Sequence, residues 1–251
     1  MKILLSLAAT FMAARLFGTQ SFSEQLYPKL KQHLSALNKE VNEQKQIKHA
    51  DQAKKIAEAI AKLHQPGKEL PIVLVCTGNS RRSVMGAAMG NASAALLEMG
   101  ELKFYSGGTA PSAFNSRSIA SLKEAGFEIE PTGKLAPAGS KGEENPVYLV
   151  KWGKSNRHQM EEFSKQYSDP KNPQKDFIAL MVCDDATKKC PVVPGAKYRF
   201  SIPFEDPKAF DNTPQEKDMY NTRRDELGRF MLSTLEFVKA AEGGSRQLMN
   251  Q

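Results

Sequence analysis

Apolar residues between positions 24 and 64 recur every three or four places: Leu26, Leu30, Leu34 and Leu37, then Ile56, Ile60 and Leu63. That spacing lines one face of an amphipathic helix. The polar stretch 38–48 interrupts it, so two helices are predicted, packing as a cap on the remainder of the chain. Pro66-Gly67 ends this region, and the pattern then changes. Residues 71–75 are continuously apolar, as in a strand buried on both faces. They lead into Cys76-Thr-Gly-Asn-Ser-Arg-Arg-Ser83 and then into an Ala- and Met-rich helical stretch, 84–99. A strand at 102–106, a helix at 115–125 and a short strand at 127–129 come next. Residues 131–176 carry little pattern beyond a strand at 147–151 and a loop at 169–174. Strands at 177–183 and 198–202 and a closing helix at 215–240 complete the chain. Strands alternating with helices predict an α/β fold, an open parallel sheet flanked by helices, with its function at the carboxyl ends of the strands.

The first residues read differently. Lys2, an apolar run over 3–14, Arg15 and the small polar Ser21 and Ser23 form the pattern of a secretory signal peptide over residues 1–23. The run is shorter than the roughly 20 apolar residues that span a bilayer. Export to the periplasm is expected, with no stable membrane insertion once the peptide is removed. The alternative is a cytoplasmic protein with a buried amphipathic N-terminal helix. The expected organisation is thus a signal segment, a helical extension over 24–68 and an α/β domain over 69–251.

Composition narrows the function. With 251 residues, 40% hydrophobic and 25% charged, the chain is neither disordered, collagen-like nor a multi-span membrane protein. A net charge of +7 favours anionic partners. No basic run is interleaved with aromatics, so nucleic acid is not expected. His33, His49 and His64 lack the spacing of a metal site; they are expected at the surface, and no metal or cofactor is anticipated. Three cysteines, an odd number, argue against a disulfide scaffold.

The segment from Cys76 to Ser83 carries the chemistry. A glycine-containing loop between a buried strand and a helix can turn its N–H groups inward around an anion, helped by the positive end of the helix. Thr77, Gly78, Asn79, Ser80, Arg81, Arg82 and Ser83 are the expected oxyanion-binding residues. Cys76 at the rim is set up as a thiolate nucleophile, Arg82 as a bidentate fork and Ser83 as a hydrogen-bonding partner of the sulfur. The bland reading is a buried cysteine followed by a turn with surface arginines.

Val73-Leu-Val-Cys76-Thr-Gly-Asn-Ser-Arg-Arg-Ser83 resembles the phosphate-binding loop of the low-molecular-weight protein tyrosine phosphatase superfamily, and within it the thioredoxin-coupled arsenate reductases. Phe104-Tyr-Ser-Gly-Gly-Thr109, with Phe114-Asn115 and Leu122–Phe127, resembles that family's second strand and helix. Val182-Cys183-Asp-Asp-Ala-Thr-Lys-Lys-Cys190-Pro191 resembles the reductases' redox segment, and Phe204-Glu-Asp206-Pro207 the loop of the general acid. The likeness covers roughly residues 71–240, with an expansion at 131–176. It implies a flavodoxin-like sheet and Asp206 as proton donor. It also implies that Cys183 and Cys190 relay oxidation from Cys76 to a thioredoxin-like dithiol reductant.

The expected activity is therefore reduction of arsenate to arsenite. The alternative is a phosphomonoesterase of the tyrosine phosphatase kind, using the same loop on a phosphate ester. A third option is an oxyanion-binding protein without turnover. Lys208 follows Asp206-Pro207, where the phosphatases are expected to carry an aromatic residue that grips a phosphotyrosine ring. Cys183 and Cys190 could instead form a structural disulfide. Arg81 stands where the reductases have a cysteine, and a second guanidinium there is expected to deepen the positive field at Cys76. Ala87 stands where some reductases place a potassium-binding Glu, which implies no strong potassium dependence.

Overall fold

The structure is a computed structural model, and it describes residues 21–43, 47–189 and 192–249. Most of the expected signal peptide, residues 1–20, lies outside the described residues. The elements in chain order are α1 (Pro28–Asn42), α2 (Ala50–Leu63), β1 (Leu70–Cys76), α3 (Arg82–Leu96), β2 (Leu102–Gly108), α4 (Ser116–Ala125), β3 (Glu128–Leu135), β4 (Pro146–Lys151), β5 (Gln159–Glu162), β6 (Phe177–Met181), α5 (Asp184–Lys189), β7 (Ala196–Ser201) and α6 (Glu216–Met249).

Strands β2, β1, β6 and β7 form the central sheet in that order, and every adjacent pair is parallel. Ile72, Val73, Leu74 and Val75 are fully buried, which is why 71–75 shows no polar alternation: helices cover both faces. From β1 the chain crosses to β2 on one side and later returns to β6 on the other. The carboxyl ends of β1 and β6 thus flank the point where the winding reverses, and ligands bind at that crevice in open α/β sheets. Cys76 ends β1, and Cys183 lies two residues beyond β6.

The short strand expected at 127–129 and the strand at 147–151 do not extend this sheet. They belong to a second, antiparallel sheet of order β3-β4-β5. Direct connections without a helical crossover allow only antiparallel pairing here. This sheet occupies the unpatterned stretch before β6, and its β3 is largely exposed.

The two N-terminal helices form as the leucine pattern predicts. Helix α1 buries Leu30, Leu34, Leu37 and Val41, and α2 buries Ala53, Ile56, Ala57, Ala59 and Ile60. Both pack on α6, whose Leu227, Phe230, Met231 and Leu235 are essentially inaccessible, and these side chains share one hydrophobic cluster with the central sheet. Each fully buried leucine or isoleucine contributes about 1.5–3 kcal/mol. Gly126 ends α4 at φ 113°, and a Cβ there would sit 2.5 Å from the Leu30 backbone nitrogen, so the end of α4 abuts α1.

The three histidines expected as plain surface residues are half-buried fasteners of this extension. His33 Nε2 meets Asp225 Oδ1 at 2.8 Å, His49 Nε2 meets the Pro203 carbonyl at 2.7 Å, and His64 Nε2 meets Glu101 Oε2 at 3.3 Å. Packing two helices onto α6 and the sheet covers rings that the sequence pattern leaves on the polar face.

Candidate active site

The Cys76–Ser83 segment curls into a cup between the end of β1 and the start of α3. Its carbonyls are engaged from outside: Thr109 N–H donates to Cys76 O, Ala110 to Thr77 O, Ser112 to Gly78 O and Asn115 to Ser80 O, at 2.9–3.1 Å. With those carbonyls engaged by neighbouring segments, the loop sits at the N-terminus of α3, the positive end of that helix. Asn79 adopts φ 42°, in the left-handed region that closes the curl. Gly108 lets the neighbouring strand come close, since a Cβ there would lie 2.5 Å from Thr77 O.

Within the cup, Cys76 is 3% exposed. Its Sγ lies 3.1 Å from Ser83 Oγ, at the start of α3. Arg82 donates from Nη1 to Phe204 O at 2.9 Å and from Nη2 to Asp206 Oδ2 at 2.7 Å. Its buried Nε has no protein partner. Asp206 also caps the short turn Pro207–Phe210, accepting from Lys208 N–H at 3.1 Å. The structure thus brings Cys76, Arg82 and Asp206 around one cleft, with Ser83 buried behind the sulfur. That cleft, of about 730 Å³, also borders Phe114, Lys141, Glu143, Asp185 and Lys208.

Arg81 departs from expectation. Its Nε donates to Tyr220 Oη at 2.6 Å and its Nη2 to Asp211 Oδ2 at 3.1 Å, while Tyr220 donates to Asp211 Oδ1 at 2.7 Å. Burial, with Asp211 as hydrogen-bond acceptor, pushes the Tyr220 hydroxyl up to about 12 despite Arg81. The second guanidinium is thus paired with Asp211 while it lines the same cleft as Cys76. It fastens the loop to the segment that follows Asp206.

Cys183 lies beside the cup, 1% exposed. Its Sγ is 3.6 Å from Thr77 Oγ1 and accepts from Ala186 N–H at 3.3 Å. The parallel pairing of β1 with β6 places it there, and Val182 N–H donates to Val75 O. Cys76 and Cys183 are both free thiols. Cys190 lies outside the described residues. Among the described residues, no group of three or more His, Cys, Asp or Glu side chains could hold a metal ion.

Several side chains behind the cup carry no motif. Ser164 Oγ donates to Gly78 O at 2.8 Å, and Lys165 N–H to Asn79 Oδ1 at 2.8 Å. Asn145 holds this segment by accepting from Ser164 N–H and donating to Ser164 O. The stretch 162–167 thus buttresses the loop from beneath. Nothing in the local sequence marks it, because polar residues near a strand end look the same when solvated.

No family model matches the chain. Three curated proteins are similar to it, all arsenate reductases. The one from Bacillus licheniformis is 28% identical, over 62% of this chain and 88% of its own length. That from Halalkalibacterium halodurans is 25% identical over 63% and 89%, and that from Bacillus subtilis 28% over 62% and 88%. Among solved structures, a low-molecular-weight protein tyrosine phosphatase from Bacillus subtilis aligns with 68% of this chain and 98% of its own, at 15% identity and a TM-score of 0.43. An arginine phosphatase from Geobacillus stearothermophilus aligns with 72% and 97%, at 17% identity and a TM-score of 0.41. In sequence the chain is thus similar to arsenate reductases.

Proposed function

We propose that this protein reduces arsenate to arsenite. The observation that carries the reading is a second thiol beside the oxyanion cup: Cys183 Sγ is 3.6 Å from Thr77 Oγ1, the residue next to the nucleophile. Ester hydrolysis needs one thiol and water; a two-electron reduction needs another thiol within reach.

The proposed steps are these. An entering oxyanion takes the Arg82 guanidinium from Asp206 and sits among the loop amides. Freed from Arg82, Asp206 takes up a proton from solvent; the Cys76 thiolate then attacks arsenic, and a hydroxyl leaves as water with that proton. Cys183 then attacks the Cys76 sulfur; the S–As bond breaks with its electron pair on arsenic, and arsenite departs from a Cys76–Cys183 disulfide. Cys190 attacks Cys183 and returns Cys76 as a thiolate. An external dithiol protein reduces the Cys183–Cys190 bond. Helix α5 must open during this relay. Its six residues alone carry the chain about 9 Å along the axis, whereas a disulfide holds its Cα atoms ~4.4–6.8 Å apart.

Cys183→Ser tests the reading. Arsenite production falls to background, while hydrolysis of a small phosphate ester, if the cup supports it, persists. Retained arsenite production overturns the relay. An unsubstituted protein that hydrolyses phosphate esters but does not reduce arsenate establishes the phosphatase reading. Export rests on the residue pattern of 1–23 alone, and fractionation of cells expressing the full chain tests it.

A further inference from the structure

Beneath the cup lies a charged pair that the chemistry above does not use. Lys165 Nζ meets Glu162 Oε1 at 2.5 Å, and both side chains are 3% exposed. An isolated buried carboxylate is costly, so this one is paired with the cation beside it. From it a continuous hydrogen-bonded chain runs to the nucleophile. Ser106 Oγ donates to Glu162 Oε1 at 2.9 Å. Asn79 Nδ2 donates to Ser106 Oγ at 2.7 Å and to Ser83 Oγ at 2.9 Å, and Ser83 Oγ lies 3.1 Å from Cys76 Sγ. Asn79, Ser83 and Ser106 are wholly buried.

The chain has a direction. An ionised carboxylate only accepts, so Ser106 must give its single hydrogen to Glu162. Ser106 oxygen then receives one Asn79 hydrogen. Asn79 cannot turn its amide over, because its Oδ1 accepts from Lys165 N–H at 2.8 Å. Its second hydrogen occupies Ser83 Oγ, leaving the Ser83 hydrogen for the sulfur. We infer that Lys165 is a positioning residue for Cys76: by keeping Glu162 an acceptor, it commits the Ser83 hydroxyl to donate to the reacting sulfur. Lys165 is thus a tethered cation in the floor of the site. The inference rests on the proposed function only in taking Cys76 as the nucleophile.

Alkylation of Cys76 by iodoacetamide, followed at the peptide level by mass spectrometry, tests this without arsenate turnover. In the unsubstituted protein the rate is the same in choline, potassium or ammonium chloride at equal ionic strength. In Lys165→Ala it drops about tenfold in choline chloride, within the range that small misplacements near a reacting group produce. Ammonium or potassium, small enough to occupy the vacated space beside Glu162, restores at least half of it. Adding Lys165→Ala to Ser83→Ala brings no further loss, because both act through one hydroxyl. Should Lys165→Ala not fold, Glu162→Met with Lys165→Met removes both charges and the acceptor of the Ser106 hydrogen, and it alkylates slowly in all three salts. A Lys165→Ala protein as reactive as the parent in choline, one slowed equally in every salt, or additive losses with Ser83→Ala overturn the inference, as does a cation-responsive double variant. Absence of arsenate reduction with these results intact counts against the proposed activity, not against Lys165.

Discussion

Asp206→Asn separates binding from chemistry. In the resting site the Asp206 carboxylate holds Arg82 at 2.7 Å, so an arriving oxyanion must displace it and then lie beside its charge. Opposite unit charges near contact interact by ~1–4 kcal/mol between bulk-water and near-surface dielectric values. The Asp206 side chain is 38% exposed, which puts the pair at the low end, about 1 kcal/mol. Removing the carboxylate therefore tightens arsenate or phosphate binding about fivefold. It also removes the proton donor, a loss of about 10²–10⁴ in turnover. Protection of Cys76 from alkylation by graded arsenate gives the first quantity, and arsenite production at saturating arsenate gives the second. The two move in opposite directions. An Asp206→Asn protein that binds the anion more weakly, or turns over at the parent rate, refutes this account of Asp206.

Two further outcomes concern stability. Leu34→Ala, at a fully buried position of α1, costs about 3 kcal/mol; because the extension shares the core of the sheet, calorimetry shows one transition at lower temperature, and two separate transitions would mean the helices fold alone. Burial, reinforced by Lys103 and Arg157, holds His158 below its ordinary 6.5. As pH falls below 6.5 the unfolded chain takes a proton that the folded protein refuses, so stability is full above that pH and declines below it, by up to about 1.4 kcal/mol per pH unit. Denaturant unfolding between pH 5 and 8 shows that slope in the parent and a flatter one in His158→Phe; equal slopes exclude His158 as its source.

Strands β1 and β6 were legible because they are covered on both faces and continuous apolar runs leave little choice of register, whereas β7 is only partly buried. The cup was legible because a cysteine, a glycine and an arginine had to fit between such a strand and a helix. The rest depended on contacts between distant parts of the chain. Glu162 and Lys165 sit three residues apart in a polar stretch, indistinguishable from a solvated pair until Ser106 and Asn79 are brought over them. Arg81 could be read only as a charge near Cys76; that Tyr220 and Asp211, some 130 residues later, claim it is a fact of folding. The antiparallel sheet was missed for the opposite reason, since a mostly exposed β3 carries no strong period.

Helix α6 links these parts mechanically. Near its beginning Tyr220 grips Arg81; about one turn on, Arg224 donates to Ser121 O of α4 and Asp225 receives His33 of α1, and further along Glu236 holds Asn38. The catalytic bowl and the outer helices are hung from one spar. Strain applied to the outer pair reaches the nucleophile through a stiff member rather than through a hinge, so tuning this protein by trimming its front end also retunes its reactive sulfur.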